Sequence, residues 1–355
     1  MNIYKTVSRI KLAFLWVTVC LGLGTLIIFP TQCRNGATNA VFLCIQVLIP
    51  SLFPFMVLSG FMVSSGISSK IPKFFTKPVS VLYDLPRECA SVILLSLIGG
   101  YPVGASGIKA LYCKKAISEM QAQRMAMFCV ASGPGFLVTY LGTVMLSNTQ
   151  VGYILLISQT ISVLMLGLVA RFVINNGSSE KEEAESHSPM SIGEALTEAV
   201  STGIKSCVGM CSLVVLFGVL CEVFIFLFEN VPKIKSLVAL IEITNGTKIL
   251  AEGSPVVIIS FACGFGGLCV HFQIFQQLKG ICIPKGKFYF FRIMQGFLCS
   301  SITYILTKIY PQSAETFSSI ESARPTLSNS LTGCVMLMLS SVVFLISLKS
   351  KKHCR

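Results

Sequence analysis

The sequence predicts an all-α polytopic membrane protein with two repeats, each containing a re-entrant or broken helix, and about seven to nine transmembrane segments. Three observations predict this fold. The chain is 53% hydrophobic and 12% charged, whereas a soluble domain carries about 25% charged residues. Apolar windows of about 20 residues recur along the chain, and this is the length that crosses a bilayer. Glycines and prolines interrupt several of these windows at corresponding places in the two halves of the chain.

Nine hydrophobic segments account for most of the chain. They lie at residues 10–29, 39–64, 89–113, 122–146, 150–174, 195–228, 254–278, 288–310 and 329–348. The first, fifth and ninth are regular and predict scaffold helices. The first follows Lys5, Arg9 and Lys11, as in a signal peptide, but its apolar run is long and no small-residue cleavage site follows it. It therefore predicts an uncleaved first helix.

Polar segments divide the chain into five regions. We expect an N-terminal transmembrane helix at 1–38, a first repeat at 39–174, a polar acidic linker at 175–194, a second repeat at 195–310, and a polar loop, a C-terminal transmembrane helix and a basic tail at 311–355. The linker lacks apolar periodicity and is rich in acidic residues, which predicts a solvated segment. The stretch "LVALIEITNGTKILAE" (237–252) is too short and polar to span, and it predicts a short interfacial helix broken at Asn245-Gly246.

The composition argues against several classes of function. The formal net charge is +13, but basic residues in short loops orient membrane spans, so we expect a lipid bilayer as partner and no nucleic acid. The fifteen cysteines form no CxxC pair and no zinc-like Cys/His cluster, and cysteine in apolar segments packs as a small hydrophobic residue. No P-loop, HExxH, GxSxG or paired-carboxylate motif occurs. We therefore expect no enzyme, no metal site and no cofactor.

Four apolar segments are interrupted near their middle. The interruptions are "IPSLFPF" in 39–64, "LIGGYPVGA" in 89–113, "ASGPGF" in 122–146 and "CGFGGLC" in 254–278. Proline removes a backbone donor, and glycine lets the backbone approach its neighbours closely. Because lipid cannot satisfy free N–H and C=O groups, irregular backbone at membrane depth needs protein or water around it. We therefore expect the broken segments to face one another in the interior.

The two halves share a layout, which predicts an internal repeat. Each contains a long helix, a polar or amphipathic piece, a glycine-broken apolar segment, a basic loop and another helix. Paired broken segments in two halves are the sequence signature of a transporter-like site at a repeat interface. The aligned pairs are Gly100 with Gly264, Tyr101 with Phe265 and Lys115 with Lys279.

The distribution of basic residues predicts the path of each broken segment. If 89–113 is a re-entrant hairpin, the basic residues on both sides of it fall on the side of the N-terminus, as the positive-inside rule requires. We therefore expect a hairpin there. For 254–278 the indications disagree, since a span would place Lys279 to Arg292 and the basic tail inside, whereas repeat symmetry favours a second hairpin. Symmetric hairpins would make the halves inverted repeats; both alternatives stay open, and symmetry is the preferred one.

Candidate solute-binding residues come from the breaks and from the few polar groups beside them. Broken helices present helix ends and free backbone groups to a ligand, although small-residue helix packing uses the same glycines. Glu242 and Asn245 can gate the second broken segment or simply cap a short helix. His271 can bind a ligand or relay a proton, or it can be a packing histidine. The full candidate set is Gly99, Gly100, Tyr101, Pro102, Gly104, Ser132, Gly133, Pro134, Glu242, Asn245, Gly264, Gly266, Gly267, His271 and Gln273.

Six motifs between about residues 40 and 300 carry a family resemblance. In order they are "IPSLFPFMVLSG", "GGYPVGA", "FCVASGPGFLV", "LGTVML", "IEITNG" and "GFGGLCVHFQ". Together they resemble the YlbJ-like sporulation integral membrane proteins, within the wider group that carries the nucleoside-recognition, or Gate, domain. The resemblance implies two Gate-like repeats in a multi-pass protein of the cell membrane of an endospore former. It also implies a role in making a resistant spore, but no catalytic residue and no identified solute.

Two functions are compatible with these observations. The first is a transporter-like protein that moves or recognises a small solute, nucleoside-like if the group relation extends to the solute, at a site between the two repeats. The alternative is a non-transporting membrane scaffold for assembly of the spore envelope or cortex. The linker 175–194 or the basic loops would then dock envelope-assembly partners. A homo-oligomer is compatible with either function.

Overall fold

The computed structural model describes residues 2–174 and 190–310, in which all regular secondary structure is helical. The first half contains α1 (Asn2–Ile28), α2 (Pro30–Leu43), α3 (Ile49–Ser64), α4 (Lys73–Tyr83), α5 (Cys89–Gly99), α6 (Tyr101–Cys113), α7 (Glu119–Phe128) and α8 (Thr149–Val173). The second half contains α9 (Ile192–Leu227), α10 (Pro232–Lys235), α11 (Val238–Ile241), α12 (Ile243–Ala251), α13 (Val256–Phe265), α14 (Gly267–Gln277) and α15 (Lys285–Ile309). Two π-helical segments, Cys44–Leu48 and Gly135–Met145, and a 3₁₀ turn at Ile67–Lys70 accompany them.

Some predicted regions lie outside the described residues. These are most of the acidic linker, at 175–189, together with the polar loop 311–328 and the ninth hydrophobic segment 329–348. The linker ends earlier than predicted, because α9 begins at Ile192. Ser191 and Glu194 form a capping box there, in which each side chain bonds the backbone N–H of the other.

The described residues have the surface of a membrane protein. Large side chains such as Ile27 and Phe172 point outward and are 77% and 75% exposed. Exposed apolar surface costs about 25 cal/mol per Å² in water, whereas lipid tails are as apolar as these side chains. The protein is therefore a multi-pass integral membrane protein, as predicted, although the number of spans stays a prediction. The segments long and apolar enough to cross a membrane are Pro30–Ser64, Thr149–Val173, Ile192–Leu227 and Val256–Gln277.

The long helices α2–α3 and α9 are held together by small residues. A Cβ at Gly36 would lie 2.7 Å from the Gly218 carbonyl oxygen, so the two backbones are in contact. Between α2 and α3, the N–H of Ile49 donates to the carbonyl of Cys44, five residues back. This π-helical turn immediately precedes Pro50, which has no N–H to continue the regular ladder. The predicted proline distortion thus takes the form of a π-helical turn.

Helices α5 and α6 form a helical hairpin. Gly104 packs against Ser96, and Gly107 packs against Val92, so α6 returns alongside α5 from a turn at Gly100. This is the shape predicted for the first broken segment. Entry of the hairpin from one membrane face stays a prediction, because helix packing alone fixes no membrane plane.

The open end of this hairpin lies at the same end of the bundle as the loop before α15. Lys109 Nζ donates to the Lys279 carbonyl at 2.7 Å, and the carboxylate of Glu119 accepts from the Cys282 N–H at 2.7 Å. Basic residues that are distant in sequence therefore share one end of the bundle, which we call the basic end.

Helices α13 and α14 cross the bundle in one direction, with a break at Gly266. They lie antiparallel to α15 along their length, so α14 continues away from α13 and does not return beside it. The course of these helices differs from the hairpin that symmetry favours at 254–278 and is compatible with the charge-based alternative; crossing of the membrane by this segment stays a prediction. The paired positions are Val257 with Ser300, Gly264 with Gly296, and Phe275 with Phe288.

A second, short hairpin lies before α13. Helices α11 and α12 pack against each other because Gly246 leaves room for Ala239, and the turn between them is at Glu242. The break predicted at Asn245-Gly246 is wrong. The Glu242 carboxylate accepts the N–H groups of Thr244 and Asn245 and so starts α12 three residues earlier.

Each half thus presents the same order of elements: a long helix, a hairpin, a broken crossing helix and a final helix. In the first half these are α2–α3, α5–α6, α7 with the π-helical segment Gly135–Met145, and α8. In the second half they are α9, α11–α12, α13–α14 and α15. This order pairs the turn at Gly100 with the turn at Glu242, not with Gly264. Two repeats of inverted topology stay a prediction, with this changed pairing.

Candidate functional site

The turn of the first hairpin brings the backbone into close contact with another break. Gly100 has φ of 83°, where a Cβ is sterically disfavoured. A Cβ there would lie 3.2 Å from the amide nitrogen of Gly133. On either side of the turn, Gly99 packs against Val103, and Pro102 occupies the first turn of α6, where no N–H is needed.

The break after α7 is a non-helical stretch at 129–133. Gly104 of α6 leaves room for the Cys129 carbonyl, and Gly133 lies against the Ile98 carbonyl. Pro134 then leads into the next helical segment. The first hairpin and this break therefore share a tight backbone interface, which side chains larger than hydrogen would separate.

Tyr101 joins three of the irregular segments. Its hydroxyl donates to the Cys263 carbonyl at 2.6 Å and shares a short hydrogen bond with the hydroxyl of Ser132. Its ring lies beside Gly266, where φ is 87° and a Cβ would be 3.3 Å from the ring. One side chain thus links the first hairpin, the break after α7 and the break between α13 and α14.

The second hairpin reaches the same place from the other side. Gly267 has φ of 76°, and a Cβ there would lie 3.2 Å from the Ile243 amide nitrogen and 3.4 Å from the Ala239 carbonyl oxygen. The two hairpin turns and the two helix breaks therefore converge. We call this place the break junction; it comprises Gly100–Tyr101, Ser132–Gly133, Glu242–Ile243 and Gly266–Gly267.

The break junction is closed to solvent in this conformation. Tyr101 is 8% exposed, and Ser132 and Glu242 are more deeply buried. Side chains and backbone fill the space between the breaks.

A buried arginine lies beside the break junction. Arg292 of α15 is 0% exposed, donates to the Val130 carbonyl at 2.7 Å and also donates to the Met127 carbonyl. Its guanidinium stacks over the Phe288 ring, 5.4 Å from the centroid. Within residues 2–174 and 190–310 it forms no ion pair, and its Nε has no hydrogen-bond partner. An uncompensated buried charge costs several kcal/mol, so Arg292 is a strong functional candidate.

Arg292 begins a polar face of α15 that packs against α8 and α13. The Thr303 hydroxyl bonds those of Ser158 and Ser260 at 2.9 and 2.7 Å. Gln295 is fully buried, and its amide has no partner in the described part of the chain. The polar residues of this face are Arg292, Gln295, Cys299 and Thr303.

The remaining candidates lie around the break junction, and of these Asn245 bonds to it through its backbone. Gly264 packs against α15 at Gly296. His271 is buried among aromatic rings; its Nε2 lies 2.8 Å from the Phe265 carbonyl, and its Nδ1 has no partner. Gln273 donates to Cys269 in its own helix. Asn245 contributes its backbone N–H to Glu242.

Sequence reasoning identified the breaks but missed the arginine. The topology argument counts Arg292 with the basic residues that follow segment 254–278, whereas the residue is buried inside α15. The signal that finds it is the spacing of residues 292, 295, 299 and 303, which recurs at three to four positions and marks one face of a helix. The roles of the candidate residues in binding stay predictions.

Comparison with known proteins agrees with the resemblance. The chain is 22% identical over 328 residues to the sporulation integral membrane protein YlbJ of Bacillus subtilis (strain 168), and the match covers 80% of each chain. No protein-family model matches the chain, and no solved structure matches it significantly. The predicted resemblance to the YlbJ-like sporulation integral membrane proteins is confirmed by this similarity.

Proposed function

We propose that this integral membrane protein is a transporter-like protein of spore formation that recognises and moves a small solute at the break junction. The observation that carries the proposal is the convergence of two hairpin turns and two helix breaks on one buried point. Irregular backbone at membrane depth occurs where it lines a cavity or is covered by protein. Broken helices around a central site are the usual construction of secondary transporters with repeated halves.

The two hairpins are placed to act as gates. The open end of α5–α6 faces the basic end, whereas α13 begins at the opposite end of α15, and α11–α12 leads into it. Withdrawal of the first hairpin would expose the junction to the basic end, and withdrawal of the second would expose it to the other end. Tyr101 would then exchange its hydrogen bonds with Ser132 and Cys263 for contacts with the solute.

The buried charge of Arg292 supports a solute that carries a negative group. An anion beside the guanidinium would offset a charge that has no carboxylate partner in the described residues. The family group suggests a neutral, nucleoside-like solute, and this is the alternative to an anionic one. The role in spore formation is supported by the similarity to the Bacillus subtilis sporulation protein.

Uptake by purified full-length protein in liposomes tests the proposal. Radiolabelled uridine, uridine monophosphate, glutamate and benzoate provide neutral and anionic probes. We expect saturable uptake of an anionic probe. We expect Gly266→Ala to lower its affinity about tenfold, equivalent to about 1.4 kcal/mol, because the added methyl group presses on the Tyr101 ring.

The matched control is Gly22→Ala in α1, where a Cβ meets nothing within 4 Å. It should leave uptake unchanged. Wild-type liposomes that neither bind nor take up any of the four probes would contradict transport of these classes of solute. A folded Gly266→Ala variant with wild-type affinity would contradict the placement of the site.

A scaffold function is the second candidate, and the closed state of the break junction favours it. Tyr101, Ser132 and Cys263 fill the junction as they would fill a structural core. Crosslinking in sporulating cells distinguishes the two functions. A stoichiometric envelope-assembly partner, together with absence of solute binding by the purified protein, would favour the scaffold.

A further inference from the structure

A buried carboxylate forms the turn of the second hairpin. Glu242 is 3% exposed. One carboxylate oxygen accepts the Thr244 N–H at 2.9 Å, and the other accepts the Asn245 N–H at 2.7 Å. An acidic residue at a helix start is ordinarily a solvent-exposed cap. Its burial at a hairpin turn, in contact with another break, is more than capping requires.

Within residues 2–174 and 190–310, the interactions that act on the Glu242 carboxyl group include no cation. The titratable side chains that interact with its carboxylate are three thiols and one phenol, and all are neutral near pH 7. They come from the elements packed around the hairpin: the turn between α2 and α3, the π-helical segment Gly135–Met145, α9 and α14. In chain order they are Cys44, Tyr140, Cys221 and Cys269.

Two effects act in opposite directions on the protonation of the Glu242 carboxyl group. Burial without a cation favours the neutral acid, and the two backbone N–H groups favour the carboxylate. Separation of the hairpin turn from its surroundings would admit water and shift this balance. Movement of α11–α12 would therefore change the proton affinity of this carboxyl group.

The same hairpin turn is mechanically connected to the solute site. Gly267 contacts the backbone of Ala239 and Ile243 on one side of the break, and the adjacent Gly266 contacts the Tyr101 ring on the other. A movement of the hairpin turn at Glu242 would thus displace Gly267 and Gly266, and through them the Tyr101 ring that closes the junction.

From this geometry we propose that Glu242 is the proton-binding residue that couples solute movement to proton movement in the same direction; the inference rests on the proposed transport function. Water at one end of the bundle gives a proton to the carboxylate, which becomes a neutral carboxylic acid. The acid returns the proton to water at the other end after the solute has left. Neutral Glu242 no longer repels an anionic solute across the glycine break, so proton and solute binding favour each other.

Gradient-driven uptake and solute exchange, measured in the same liposomes, test this coupling. The probe is whichever of uridine, uridine monophosphate and glutamate the wild type takes up best; benzoate is left out of this assay, because neutral benzoic acid crosses lipid without a protein and follows the pH gradient by itself. For one proton per monovalent anion, a gradient of one pH unit should sustain about tenfold accumulation in wild-type liposomes. Glu242→Gln should abolish accumulation and keep exchange of labelled for unlabelled solute, since exchange needs no net proton movement. Glu242→Asp keeps the carboxyl group and should keep accumulation at a reduced rate.

The matched control is Glu252→Gln at the other end of α12, where the carboxyl group is exposed; it should accumulate solute as the wild type does. Accumulation by Glu242→Gln equal to the wild type would overturn the inference and leave the transport function intact. Solute exchange by the wild type with no accumulation in response to the pH gradient would also overturn the inference and leave the transport function intact. Absence of both binding and exchange in the wild type would overturn the transport function and the coupling with it. If Glu242→Gln does not fold, the wild-type proton-to-solute ratio and Glu242→Asp decide the question.

Discussion

Single polar side chains without opposite charges occupy the interior of this protein. Tyr101 and Arg292 bond backbone carbonyls, and Glu242 bonds backbone N–H groups. In the described residues, Arg124 forms an ion pair with Asp84, whose side chain is 66% exposed. Backbone N–H and C=O groups that the breaks leave without helical partners therefore bond these side chains, in place of opposite charges. Each of the three side chains thereby connects its own helix to a break.

Removal of the Tyr101 hydroxyl should destabilise the protein. Tyr101→Phe leaves the buried Cys263 carbonyl and Ser132 hydroxyl each without a partner, which costs about 1–3 kcal/mol. Denaturant unfolding of the purified protein in detergent measures this loss. Tyr153→Phe, at a side chain that is 54% exposed, is the control and should change stability little. Equal stability of both variants would show that the hydroxyl does not hold the breaks together.

The residues of the breaks were predictable because glycine and proline act locally. Gly100, Gly133 and Gly266 interrupt apolar runs, and lipid forces such interruptions into the interior whatever the rest of the fold. Arg292 was not recognised, because its burial depends on which face of α15 meets the end of α7. That contact joins residues more than 160 positions apart, and local sequence does not encode it.

Hairpins and crossing helices alternate around the break junction, and glycine content alone does not distinguish them. Segment 89–113 turns back on itself at Gly100, whereas Val256–Gln277 continues past Gly266 and Gly267. The basic residues favour a hairpin for the first segment and a span for the second, and the course of the helices is compatible with both, while the membrane face at which each segment ends stays a prediction. The second hairpin was misplaced because its turn is made by a capping carboxylate, Glu242, and not by a glycine.

Cysteine labelling in intact membrane vesicles tests these paths. In a background without other cysteines, Arg87→Cys and native Cys113 flank the first hairpin, and both should react from the same side. Gly253→Cys and native Cys282 flank the broken crossing helix and should react from opposite sides. All four positions are exposed. Labelling of Gly253→Cys and Cys282 from one side would contradict the crossing path and restore the symmetric hairpin.

Over the described helices, two hairpin turns and two helix breaks meet at one buried place, the break junction. The first hairpin leads to the basic end, the second leads to the other end, and Tyr101 and Glu242 lie at their turns. In the proposed function, one hairpin would open while the other remains closed. The sequence could predict an interior meeting point of the breaks, but not that the turn at Glu242 takes part in it, since that contact appears only when the helices are packed.

The most direct test of the account is an experimental structure of the purified protein with a bound anionic solute, such as the anionic probe of highest affinity. We predict density for the solute at the break junction, within hydrogen-bond distance of Tyr101 or Ser132 and with its negative group toward Arg292. One hairpin should be displaced relative to the closed conformation. Density confined to the basic end, with the junction still filled by Tyr101, would contradict a solute site between the breaks.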